Sequence, residues 1–169
     1  ARLILNYISF VASSCFYCLS RLRTNKYDLV FGVQLSPIFS MLPAILCKKI
    51  FCVPLYFWVL DLWPDSAVSV GVRQKLIVRP LSILCKHIYS SAEILFLSSK
   101  GFEAKLNELG ISRSKLVYFP QWIESEYLQA VSLSTEEAAE IHDLLYQWKN
   151  KTIFTFTGNI GDAQDFPNI

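Results

Sequence analysis

Apolar residues in this chain fall into short unbroken runs rather than a strict alternation. Asp28-Leu-Val-Phe-Gly-Val33, Pro54-Leu-Tyr-Phe-Trp-Val-Leu60, Glu93-Ile-Leu-Phe-Leu97 and Lys115-Leu-Val-Tyr-Phe119 are each bounded by charged or turn-forming residues. Runs of this kind predict strands buried on both faces, as in a parallel sheet. The segments between them read as helices. Ser36-Pro37 supplies an N-cap and a first-turn proline for a helix running to Lys48-Lys49, with Pro43 kinking or restarting it. A longer helix covers residues 73 to 90 with a bend at Pro80, and Ser98-Ser99 lead into a short helix closed by Gly110. Strands alternating with helices define an α/β protein, a parallel sheet with flanking helices. Functional groups in such sheets collect at the carboxyl ends of the strands. Those ends are residues 34–36, 61–66, 98–100 and 120–124.

The texture changes after Pro120. Ser134-Thr-Glu-Glu137 reads as a capping box, and Ala138, Ile141, Leu145 and Trp148 recur at helical spacing behind it. Thr152-Ile-Phe-Thr-Phe-Thr-Gly158 then reads as a further strand opening onto Gly158-Asn-Ile-Gly161, where glycines let backbone N–H groups approach an anion. The predicted organisation is one domain over residues 1–120 and the linker, helix and first strand of a second over 121–169. At the other end, Leu3 to Leu19 is an apolar run of about 17 residues, short for a membrane span and interrupted by Asn6, Ser9, Ser13 and Ser14. It reads as a buried or interfacial helix.

Composition narrows the classes. The chain is 53% hydrophobic and 18% charged with a net charge of +2, so it is globular and carries no electrostatic case for nucleic acid. Its apolar bias keeps a membrane-surface role in view. The five cysteines, Cys15, Cys18, Cys47, Cys52 and Cys85, are scattered through apolar runs, as in a reduced cytoplasmic protein. Cys15 and Cys18 have the C-x-x-C spacing but no second pair, so they predict packing, and no metal or cofactor is expected.

Among the strand-end loops, Asp61-Leu-Trp-Pro-Asp65 is the most informative. Its two carboxylates and indole can serve as a base and a stacking or hydroxyl-binding group; equally, Asp61 can cap a turn while Trp63 packs on a neighbour. Ser99 and Lys100 stand where an anion would meet a helix start, with plain solvation of Lys100 as the alternative. His87 and His142 lack carboxylate or cysteine partners at useful spacing. Gly158, Asn159 and Gly161 are compatible with either a phosphate cradle or an ordinary turn, since neither a Walker ending nor G-x-G-x-x-G is present.

Taken in order, YDLVFGVQLSP, VLDLWPDS, LSSKGFEAKL, KLVYFPQWIE and FTFTGNIGDAQDF resemble the retaining glycosyltransferase family four, most closely its bacterial L-fucosamine or colanic-acid branch. The resemblance implies GT-B architecture, two Rossmann-like domains facing a cleft, with the acceptor held by the first and the nucleotide sugar by the second. It implies a UDP-sugar donor, a polyprenyl-diphosphate-linked acceptor, and a role in surface polysaccharide or lipopolysaccharide synthesis at the cytoplasmic face of the inner membrane. On that pattern Asp61 is a catalytic candidate, and Trp63, Asp65, Ser99 and Lys100 face the acceptor. Gly158, Asn159 and Gly161 would meet the donor phosphates. The chain would then be an internal fragment, inactive by itself, with the family's glutamate pair lying beyond Ile169. Two departures stand out: Leu60 occupies a position where many relatives carry histidine, and Asn159 and Gln164 stand where many carry arginine and lysine. A GT-B UDP-sugar 2-epimerase and a non-catalytic module are the alternative readings.

Overall fold

The computed structural model describes residues 2–21, 26–69, 71–72, 74–125, 134–158 and 166, without the side chains of Arg2, Leu3, Ile4, Glu137, Glu140 and Leu144. The chain divides into two units, Ala1–Gln121 and Trp122–Ile169. In the first, α1 (Arg2–Ser20) precedes β1 (Val30–Gln34), a 3₁₀ turn (Ile38–Met41), α2 (Leu42–Phe51) and β2 (Leu55–Val59). Then come α3 (Asp65–Ser69), α4 (Lys75–Ser90), β3 (Ile94–Leu97), α5 (Gly101–Glu108), a 3₁₀ turn (Arg113–Lys115) and β4 (Leu116–Tyr118). The strands form one sheet in the order β1-β2-β3-β4, every neighbouring pair parallel, in register through Gly32–Phe57–Leu95–Leu116. The α/β expectation is met.

The strand order has a geometric consequence. Each crossover advances the sheet by one strand in the same direction, and parallel crossovers are right-handed. All connecting helices must then stack on one face. Phe57, Leu55, Val59, Leu95 and Leu97 are buried there against Ile38, Ile88, Tyr89 and Leu106. Burial along β2 and β3 alternates accordingly, and on β1 Phe31 and Val33 are 48% and 42% exposed. This corrects the expectation of strands buried on both faces. The second face carries a partly exposed aromatic layer, in which the Phe96 ring stands 6.1 Å from Phe31 and 5.5 Å from Phe119.

Local signals explain most boundaries. Pro43 sits in the first turn of α2, Lys48 and Lys49 lie in its last turn, and Cys52 ends it in the left-handed conformation. Segment 36–49 is therefore core, with Ile38, Met41, Ile45 and Cys47 buried. Ser36 is not the N-cap the sequence suggested; Pro37 holds that place without a side-chain bond, and the Ser36 hydroxyl turns toward Trp63. Gly110, at φ 88°, follows α5 as expected. Gly32 has a different reason: a Cβ there would lie 2.9 Å from the Phe57 ring and 3.0 Å from the Met41 sulfur.

The N-terminal stretch, read as a buried or interfacial helix, forms α1; it is not a buried one, since Leu5, Ile8, Phe10, Phe16 and Tyr17 are exposed. Among the described side chains one stripe packs, through Tyr7 against Phe39 and Cys18 against Cys47. Among the described residues no helix is long and apolar enough to cross a membrane.

In the second unit α6 (Thr135–Gln147) starts immediately after Ser134, as expected. The Glu137 side chain, and with it the reciprocal half of the capping box, lies outside the described residues. Residues 152–157 form no strand and are exposed, contrary to the sequence reading. A strand is made by its neighbour's hydrogen bonds, and no other described residue of this unit is in a strand to supply them.

Candidate functional site

The loop following β2 is fixed by side chains drawn from the ends of β1 and β2 and from α3 and α4. Its Trp63–Pro64 bond is cis, as is Ser36–Pro37 after β1. The Asp61 carboxylate accepts from Trp63 Nε1 at 3.0 Å through Oδ2 and from the Ser66 hydroxyl through Oδ1. Trp63 Nε1 also donates to Ser36 Oγ at 3.2 Å, and Ser66 Oγ to the Leu62 carbonyl at 2.8 Å. From below, the Tyr89 hydroxyl accepts the Trp63 backbone N–H at 3.1 Å. Tyr89 is fully buried, and burial pushes its phenol well above the ordinary range, so it stays neutral. Gln34, fully buried at the end of β1, donates from Nε2 to the Leu35 carbonyl, while its Oε1 has no hydrogen-bond partner among the described residues.

Two grooves open beside this loop. One of ≈ 440 Å³ runs between the loop and the start of α5, lined by Asp61, Ser66, Ser69, Ser99, Phe102 and Lys105. The other, ≈ 180 Å³, lies between Trp63–Pro64 and α5. Asp65 and Lys105 border both, 3.9 Å apart, and Lys105 also stands 3.5 Å from Glu108. The larger groove therefore offers three hydroxyls, two carboxylates, an aromatic edge and one cation already faced by carboxylates. That set suits hydrogen bonding to a polyol better than neutralisation of a bare polyphosphate.

The sequence candidates separate in space. Asp61, Trp63, Asp65 and Ser99 border these grooves, with Ser99 Oγ accepting the Gly101 N–H at 3.3 Å at the start of α5. Lys100 is not among the groove residues; its ammonium stands 5.2 Å from the centre of the Tyr118 ring, a cation–π contact. Gly158, with φ 155°, belongs to the second unit, while Asn159 and Gly161 lie outside the described residues. His87 is exposed on α4, and His142 is exposed beside Asp143. Ser69 and Tyr89 were not singled out from sequence; Ser36, Ser66, Phe102 and Lys105 lie within the motifs quoted there but were given no role in a site.

Cys18, Cys47 and Cys85 are buried packing groups, whereas Cys15 is half-buried and Cys52 exposed. Cys18 and Cys47 are buried sulfur to sulfur at 2.8 Å, and burial followed by the Cys18 contact pushes the Cys47 thiol up to about 12. Burial does the same to Cys85, also to about 12. Such thiols are not nucleophiles at neutral pH. Among the described residues no cluster of metal-ligating side chains occurs.

A four-stranded parallel sheet flanked by helices, with polar groups gathered at the carboxyl ends of its strands, is a Rossmann-like arrangement. Comparison with known proteins adds one likeness: the chain is 32% identical over 117 residues to a probable glycosyltransferase, WbjE, of Pseudomonas aeruginosa. The match covers 66% of this chain and 28% of that protein, so the chain spans little more than a quarter of its relative's length. No family model matches the chain, and no solved structure does. The likeness supports descent from glycosyltransferases.

Proposed function

We propose that this chain is the acceptor-side part of a retaining glycosyltransferase of family four, joined to the beginning of its nucleotide-sugar domain. The reaction is transfer of a sugar from a UDP-sugar to a polyprenyl-diphosphate-linked acceptor in surface polysaccharide synthesis, at the cytoplasmic face of the inner membrane. The observation that carries the reading is the 32% identity to a probable glycosyltransferase. The hydroxyl-rich groove at the strand ends gives it a physical counterpart.

In this reading the groove beside Asp61 receives the acceptor sugar. Ser66, Ser69 and Ser99 exchange hydrogen bonds with its hydroxyls, the Phe102 ring covers an apolar ring edge, and Trp63 faces the adjoining smaller groove. Asp61 has each oxygen engaged by a donor of its own loop, which favours a role in holding Trp63 and Ser66 over proton transfer. Lys100, drawn to Tyr118, shapes the rim. Gly158, Asn159 and Gly161 form the first wall of the donor site, where backbone N–H groups stabilise charge developing on the departing UDP.

The test uses the intact protein with a UDP-sugar, with and without a lipid-linked acceptor. Acceptor-dependent release of UDP with a sugar appearing on the lipid supports the proposal. An epimerised UDP-sugar formed without acceptor would replace it with epimerase chemistry, and no turnover under either condition would remove the enzymatic reading.

A further inference from the structure

Helix α4 carries side chains that its packing does not use. Cys85, Ile88 and Tyr89 form its buried stripe against the sheet. At 100° per residue, Leu76 and Ile83 fall on the line diametrically opposite that stripe. They are 91% and 71% exposed. Lys75, Arg79 and Lys86 flank this ridge on one shoulder; Pro80, Leu84 and Ile77 flank it on the other, all exposed. No aspartate or glutamate occurs anywhere in the helix.

An ordinary surface helix puts its polar residues farthest from the core. Here Leu76 and Ile83 share the outermost line with His87 and Ser90, and a cationic shoulder stands beside them, so large aliphatic side chains occupy a place ordinarily left to polar ones. We infer that the outer face of α4 docks on an anionic lipid surface, lying in the headgroup plane with Leu76 and Ile83 inserted between acyl chains. The apolar ridge supplies area to bury, and the unopposed cations supply attraction to lipid phosphates. With 16 residues α4 is too short to span a bilayer, which takes about 20. A second copy of the chain is the poorer occupant, because a symmetric contact would bring two cationic shoulders together without a carboxylate from either helix. The inference gives the proposed lipid-linked acceptor a surface to be met on, yet it rests on α4 alone.

Cosedimentation with vesicles tests it, phosphatidylcholine alone against phosphatidylcholine doped with phosphatidylglycerol. The chain is expected to bind the doped vesicles and to be released by salt. Leu76→Asp with Ile83→Asp should lower binding by at least about tenfold, since two buried aliphatic side chains are lost from the bilayer. Arg79→Glu should remove the preference for doped vesicles. All these positions are exposed, so unchanged circular dichroism melts will confirm that the variants fold. Equal binding to both vesicle types, or a double-aspartate variant that binds as well as the wild type, overturns the inference. So does a lipid-free dimer, seen by sedimentation velocity, that the aspartates dissolve. UDP release measured on the intact protein with a soluble short-chain acceptor keeps the two readings apart: release without vesicle binding sinks only the docking surface.

Discussion

The Asp61 carboxylate can be taken apart by two substitutions that make opposite demands on its loop. In Asp61→Ala both donors lose their charged acceptor, and hydrogen bonds to charged groups contribute about 1.5–3 kcal/mol each. Neither donor is stranded, however, because Trp63 Nε1 still reaches Ser36 Oγ and Ser66 Oγ still reaches the Leu62 carbonyl. The expected loss is therefore about 1–2 kcal/mol in total, well below the sum of two such bonds. For a unit of this size that lowers Tm by roughly 4–10 °C. In Asp61→Asn the amide oxygen accepts from Trp63, and the amide nitrogen donates to Ser66 Oγ, whose own proton goes on to Leu62. The network survives with its direction reversed at one link, and the cost stays within about 1 kcal/mol. Calorimetry on both variants, beside UDP release by the intact protein, reads the two effects separately. We expect the asparagine variant to keep most of its Tm and most of its transfer, and the alanine variant to lose both. An asparagine variant that melts as low as the alanine one would refute the bond-reversal argument. One that melts normally but transfers nothing would show that the negative charge itself takes part in the chemistry.

Three further predictions follow from packing and charge. Gly32→Ala drives a Cβ into the buried Phe57 ring and the Met41 sulfur, and should cost about 1–3 kcal/mol in chemical denaturation; an unchanged midpoint would mean that Phe57 and Met41 can give way freely. The Glu93 carboxylate, hydrogen-bonded to Lys48 Nζ at 2.7 Å, titrates below its usual value. Its stabilising contribution is therefore complete above the ordinary glutamate range and disappears as pH falls through the lowered folded value. Wild-type stability should thus drop more steeply than that of Glu93→Gln on acidification from neutrality, by a small amount because Glu93 is half exposed; parallel pH profiles would contradict this. Gln34→Leu removes a buried acceptor that has no partner among the described residues, but also the Nε2 donor to the Leu35 carbonyl, so the two effects oppose and Tm should change little; a drop larger than the loss of that one bond would reveal a further partner such as a buried water.

The four strands of the sheet were legible because each is a continuous apolar run closed off by proline, glycine or charge, and their observed bounds lie within a few residues of those runs. What such a run does not encode is how many of its faces are covered. Phe31 and Trp58 look as core-like in sequence as Leu55 and Phe57, and only the strand order separates them. Residues 152–157 show the complementary failure, an apolar run with strand composition and, among the described residues of its unit, no strand to pair with. The importance of the DLWPDS loop could be read from its carboxylates and indole. Its fastening could not, because Ser36 and Tyr89 lie 27 and 26 residues from Trp63 in the chain. At Ser36 the local rule for a helix start lost to that distant indole.

The order β1-β2-β3-β4 also bears on how the sheet is assembled. Each strand's partner is the one synthesised just before it, so no strand has to wait for a distant stretch of chain or be threaded between two already paired. The loops to be closed are only those of successive β–α–β steps, which keeps the entropic cost of each addition low and the contacts local. The first unit is therefore expected to grow strand by strand as it leaves the ribosome. Throughout that growth the edges of the sheet are β1 and the newest strand, and the helix that follows the newest strand arrives on the face where the core is already forming.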